Sequence, residues 1–159
     1  MTMTVHAVRD LPVPPESVYA AFTDARTIRR WWGPDRFTCP VAEMDVREGG
    51  ASLLGMRAPA EYGGGDTYTL WSYTTVDRPR RLEYMVRFAD ATGRPVGPAE
   101  VPAGIPDGVP HVVTFEPRAG GGTRLTVTEY GYTDAAARDL SRAGLEQCLD
   151  KLERVLAGR

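Results

Sequence analysis

Between residues 37 and 131 the chain alternates apolar and polar side chains with period two, in six runs separated by tight-turn sequences. FTCPVAEMDVREGG, ASLLGMRAP, DTYTLWSYTTV, RLEYMVRFAD, HVVTFEP and TRLTVTEYGY each read as a strand. Gly49-Gly50, Gly63-Gly64-Gly65, Asp77-Arg78-Pro79-Arg80 and Gly120-Gly121-Gly122 supply hairpin chemistry between them. Strands joined by hairpins pair antiparallel, so the pattern predicts a meander. Such a sheet needs its apolar face covered, and TDAAARDLSRAGLEQCLDKLERVLAGR is the one segment long enough to do it. That segment reads as a helix from about Asp134 to Ala157, with Thr133 as its N-cap. Ala137, Leu140, Gly144, Leu145, Cys148, Leu152, Val155 and Leu156 form its apolar stripe.

Ahead of the meander, VHAVRDL reads as a short strand in which Val5, Ala7 and Arg9 oppose His6, Val8 and Asp10. Pro12, Pro14 and Pro15 break it and open the helix ESVYAAF. Asp24 is placed to cap a second helix, ARTIRRWW, with Ile28, Trp31 and Trp32 on one face, and Gly33-Pro34 stops it. The order is β-α-α-β6-α in one domain spanning residues 1–159. The fold class is α+β: a strongly curved antiparallel sheet wrapped around a long C-terminal helix. A bent sheet and a straight rod leave a gap between them, and the gap is the functional lead.

Side-chain parity says what lines that gap. Adjacent helical residues diverge by about 100°, so one of the paired indoles can lie in the core while its neighbour, Trp32, lines an opening near Phe37. On RLEYMVRFAD, Leu82, Tyr84, Val86 and Phe88 alternate with Arg81, Glu83, Met85 and Arg87, which sets the first group inward. The same logic turns Leu125, Val127 and Glu129 inward. On the strand before Asp77, either Leu70, Ser72 and Val76 or Trp71 and Tyr73 face the cavity, and the hairpin register decides. The candidate ligand-binding residues are Trp32, Phe37, Trp71, Tyr73, Tyr84, Phe88, Glu129, Leu145 and Cys148. Tyrosines suit a pocket wall because they join an apolar face to a hydroxyl handle. Glu129, the one carboxylate near the gap, could orient a ligand, or act as a base if burial raises its pKa. The Pro- and Gly-rich stretch 91–110 reads either as a lid over the cavity mouth or as a floppy surface insertion, with Ile105 and Val109 able to dock.

Composition closes off other classes. A net charge of −2 leaves no electrostatic footprint for nucleic acid. No apolar run approaches the roughly 18 residues of a membrane span. Lys151 is the only lysine. Cys39 and Cys148 are isolated and are expected to be reduced thiols. His6 and His111 are the only histidines, without metal-ligand spacing. Neither a nucleophile elbow nor a phosphate loop is present. The expectation is therefore a cytoplasmic protein with no metal, no cofactor, no assigned catalytic residue and no membrane insertion, either a monomer or a homodimer.

VYAAFTDARTIRRWWGP (18–34), MDVREGG (44–50), VDRPRRLEY (76–84) and TRLTVTEYGYTD (123–134), followed by the closing helix, span most of the chain. Together they resemble the SRPBCC (START/Bet v 1-like) superfamily, and within it the family similar to the C-terminal domain of the activator of heat-shock-protein-90 ATPase. The resemblance implies a helix-grip fold in a bacterial protein that binds a small hydrophobic or amphipathic molecule between sheet and C-terminal helix. It also implies two alternatives. One is an interaction module with a co-chaperone-like or stress-related role, meeting a chaperone or other protein through apolar groups around Trp32. The other is a cyclase- or aromatase-like enzyme that works by shaping its substrate. Members often carry a tryptophan after the glycine of the closing helix, whereas this chain has Gly144-Leu145, which leaves room beside the helix. The eukaryotic activator also has a chaperone-binding N-terminal domain, to which nothing here corresponds.

Overall fold

Strand β1 (Met3–Leu11) leads into two short helices, α1 (Pro15–Thr23) and α2 (Ala25–Ile28). The meander follows as β2 (Thr38–Glu43), β3 (Ala51–Arg57), β4 (Asp66–Asp77), β5 (Arg81–Ala89), β6 (Val109–Pro117) and β7 (Thr123–Tyr132), and α3 (Ala135–Leu156) closes the chain. The structure is a computed structural model describing residues 1–158. The strands form one seven-stranded sheet in the order β1-β7-β6-β5-β4-β3-β2, with every neighbouring pair antiparallel. This is the β-α-α-β6-α arrangement of a helix-grip-like α+β fold. Among the described residues no helix is long and apolar enough to cross a membrane.

The inner face of the sheet follows the period-two pattern. Leu82 and Tyr84 on β5, Val113 and Phe115 on β6, and Leu125 and Val127 on β7 are buried. On β1, Val5, Ala7 and Leu11 are buried on the face that also carries Arg9. The Arg9 guanidinium reaches α3, where it meets Glu146 at 2.6 Å, Asp150 at 2.9 Å and Glu153 at 3.0 Å. These carboxylates recur at helical spacing, so one forked cation fastens two turns of α3 to the sheet edge. Beneath it Leu145, Cys148, Leu149 and Leu152 pack into the core.

Three local features differ from the sequence-based expectation. The N-cap of α3 is Asp134, whose carboxylate accepts the Ala136 amide at 2.8 Å, rather than Thr133. Leu140 is 76% exposed and Leu149 takes a place in the stripe instead, because Leu140 lies five residues from Leu145 and off the buried arc. Finally, α2 ends at Ile28, and both tryptophans sit on the turn after it. Asp24 does cap α2, accepting from the Thr27 amide at 2.8 Å. The chain then tightens through the bonds Arg30 N to Thr27 O and Trp31 N to Ile28 O, which span three residues, before Trp32 N closes one last wider turn on Ile28 O.

Gly33 completes that turn with φ of +111°, a conformation L side chains rarely adopt. Lys151 then holds the turn against α3: its ammonium donates to the carbonyls of Gly33 at 2.9 Å and Phe37 at 3.1 Å. Burial pushes its pKa down.

Candidate functional site

The turn after α2 separates the two indoles. Trp31 is fully buried against Phe22, and its Nε1 donates to the Ala21 carbonyl at 2.9 Å. Trp32 is half-buried, stands edge-on to both Trp31 and Trp71, and faces the space under α3. Its Nε1 is buried without a hydrogen-bond partner. Native proteins leave few such donors unpaired.

The space is a cavity of about 180 Å³ between β5–β7 and the N-terminal half of α3. Val86 and Phe88 of β5, Val109 of β6, and Gly144, Leu145 and Cys148 of α3 wall it. Trp32, Pro34 and Met56 close one end, and Ile105 reaches in from the long loop. At Gly144 the helix presents no side chain: a Cβ there would meet only Pro34, at 3.8 Å. The stretch between β5 and β6 thus divides in two. Its first part continues the β5 edge as a tight turn, with Asp90 accepting from the amides of Thr92 and Arg94. Its later part lies over the cavity, with Gly104 backed closely against Asp134, the N-cap of α3, and Ala137 in its first turn. A separate groove of about 410 Å³ lies beside Leu53 and Leu70, which face away from α3.

The polar corner of the cavity comes from one row of cross-strand neighbours. Tyr84 pairs with His111, and His111 with Glu129. The Glu129 carboxylate accepts from the Tyr132 hydroxyl at 2.7 Å and lies 3.4 Å from His111 Nε2. Both His111 and Glu129 are buried. His111 Nδ1 lies 2.9 Å from the Val109 carbonyl, which can only accept, so Nδ1 carries a proton. The imidazole stacks on Tyr84, which stacks in turn on Trp71, and this fixes the plane of the ring. Burial pushes the Glu129 carboxyl up, but the charge and hydrogen bond of His111 and the Tyr132 hydroxyl outweigh it, and the net displacement is downward. The expectation that burial would make Glu129 a stronger base is therefore reversed. A carboxylate held low suits accepting a hydrogen bond better than removing a proton. The Cys148 thiol, pushed up to about 11 by burial, is a weak nucleophile.

Of the sequence-based site residues, Trp32, Phe88, Glu129, Leu145 and Cys148 meet at this cavity. The other four lie outside its walls. Trp71 and Tyr84 face inward but lie beside the space rather than on it, Tyr84 stacked on its cross-strand neighbour His111 and Trp71 edge-on to Trp32. Tyr73 is also buried, 2.8 Å from Ser52 Oγ, and burial pushes its phenol up to about 12. Phe37 emerges past the Gly33-Pro34 turn and pairs with Tyr62 at the surface end of β3. Parity missed His111, Tyr132 and Met56. Gly131, with φ of +96°, breaks the alternation of β7 and returns Tyr132 to the Glu129 side. Among the described residues no group of three or more His, Cys, Asp or Glu is placed to hold a metal ion.

A curved sheet gripping a helix, with a cavity between them and a single polar corner, defines the helix-grip class of domain. Residues 12–157 match the family described as activator of Hsp90 ATPase homolog 1-like protein, and the chain belongs to that family. Solved structures agree over nearly the whole length. Protein CV1439 from Chromobacterium violaceum is 29% identical, with a TM-score of 0.79 and 96% of each chain covered. Protein Ms6760 from Mycobacterium smegmatis is 25% identical, with a TM-score of 0.76 and coverage of 96% of this chain and 90% of that one. A Staphylococcus epidermidis protein is 25% identical at a TM-score of 0.78, covering 98% of this chain and 90% of its own. No curated protein matches the chain.

Proposed function

We propose that this protein binds a small, mostly apolar molecule in the cavity between β5–β7 and α3. The observation that carries the reading is the stand-off of α3 at Gly144-Leu145, which leaves about 180 Å³ walled by apolar side chains around one polar corner. Apolar cavities of about 150 Å³ already accept benzene. Burial of the guest's surface supplies affinity, and the corner at Glu129, His111 and Tyr132 sets its orientation. A protein-interaction role would present apolar groups around Trp32. That indole instead packs edge-on against Trp31 and Trp71, which favours the ligand reading.

The test is mass spectrometry of small molecules released from purified wild type, Gly144→Ala and Gly144→Trp. Alanine adds only a methyl 3.8 Å from Pro34, whereas an indole at that position fills the space. A guest recovered from wild type and Gly144→Ala but lost from Gly144→Trp is the expected result. Equal recovery from all three, or no guest from wild type, overturns the reading.

A further inference from the structure

The polar corner restricts what the guest can be. With Nδ1–H committed to Val109, a bare Nε2 would turn its lone pair on the Glu129 carboxylate 3.4 Å away. A proton on Nε2 instead meets that carboxylate and makes the pair neutral as a whole. An ionic guest would bring an uncompensated charge against largely apolar walls.

The corner nevertheless retains hydrogen-bonding capacity. A carboxylate offers about four lone-pair positions, and Tyr132 and His111 engage one oxygen each. The hydroxyl is the smallest uncharged group that can donate to those free positions. The remaining space is apolar and of single-ring size.

Resting on the ligand-binding reading above, we propose that the guest is a small neutral hydroxylated ring, a phenol-type molecule with its hydroxyl at the Glu129 corner of the cavity. The side chains of Trp32 and Phe88 hold the ring, and Glu129 receives the hydroxyl proton in a hydrogen bond without removing it.

Isothermal titration calorimetry at pH 7 with p-cresol, toluene, benzoate and benzylamine tests this. p-Cresol is expected to bind about tenfold tighter than toluene, the margin of one hydrogen bond to a charged acceptor, and tighter than either ion. Glu129→Gln should cut the p-cresol advantage over toluene to within about threefold, while Gly144→Trp should abolish binding of both. Should Glu129→Gln fail to fold, the ratio of the two affinities in wild type still reads the advantage. Equal affinity of wild type for p-cresol and toluene overturns the hydroxyl assignment and leaves the cavity reading intact. Tighter binding of benzoate or benzylamine overturns the neutrality of the corner. No binding of any probe overturns the proposal outright, while the copurification experiment separately decides whether the cavity holds a guest.

Discussion

Replacing His111 with phenylalanine isolates the energetics of the buried pair. The substitution keeps a ring stacked on Tyr84 but removes the group facing Glu129. At 3.4 Å and an effective dielectric near 20, the ion-pair attraction is about 5 kcal/mol before desolvation. Removing one member of a buried pair typically costs about 3–5 kcal/mol, because the survivor keeps its desolvation penalty. The separation exceeds that of a strong charge-assisted hydrogen bond, so the lower end applies. His111→Phe is expected to lose about 3 kcal/mol in urea unfolding at pH 7 and to melt about 6–12 °C lower. The double variant His111→Phe/Glu129→Leu removes both charges and should recover to within about 1 kcal/mol of wild type. Acid gives an independent reading. The folded carboxyl of Glu129 lies below its ordinary value of 4.5, so its contribution is complete above that pH and drains as pH falls through the folded value. Wild type should therefore lose more stability than the double variant between about pH 5 and pH 3. A loss below about 1 kcal/mol for His111→Phe, or a double variant no better than the single one, refutes the pairing.

Two further outcomes concern how the cavity is held open. Arg9→Met should destabilise by about 2 kcal/mol in urea melts, since three half-exposed carboxylates on α3 lose their shared cation; Arg9→Lys should recover less than half, and a full recovery would deny the fork its role. Gly33→Ala places a Cβ 3.1 Å from that of Phe37 at a φ of +111°, so a loss of at least about 1 kcal/mol is expected in the same assay, and a neutral result would contradict the turn geometry.

Much of this architecture was legible in the residues. Alternation placed Val86, Phe88 and Glu129 on the inner face because a strand's side-chain period is fixed at two, whatever it packs against. The stop at Gly33-Pro34 and the separation of the paired indoles followed from backbone geometry alone. What failed was extent. Parity tells which face a residue takes but not how far along that face a space reaches, so it turns Trp71, Tyr73 and Tyr84 inward without showing that Trp32, Ser52 and His111 engage them and that the space lies to one side. His111 was within reach of a register argument. Counting outward equally from the Pro117–Thr123 pair that closes the β6–β7 hairpin brings His111 opposite Glu129. Tyr132 was not, because the break at Gly131 defeats strict alternation.

The three tryptophans form one contiguous chain, with ring centroids 5.7 Å apart from Trp31 to Trp32 and 4.9 Å from Trp32 to Trp71. Indoles so close exchange excitation before they emit, so light absorbed anywhere in the protein is shared among all three. Any molecule that quenches Trp32 dims the whole ensemble. The domain therefore carries its own optical reporter, wired to the one place where occupancy would be felt, and needs no external dye.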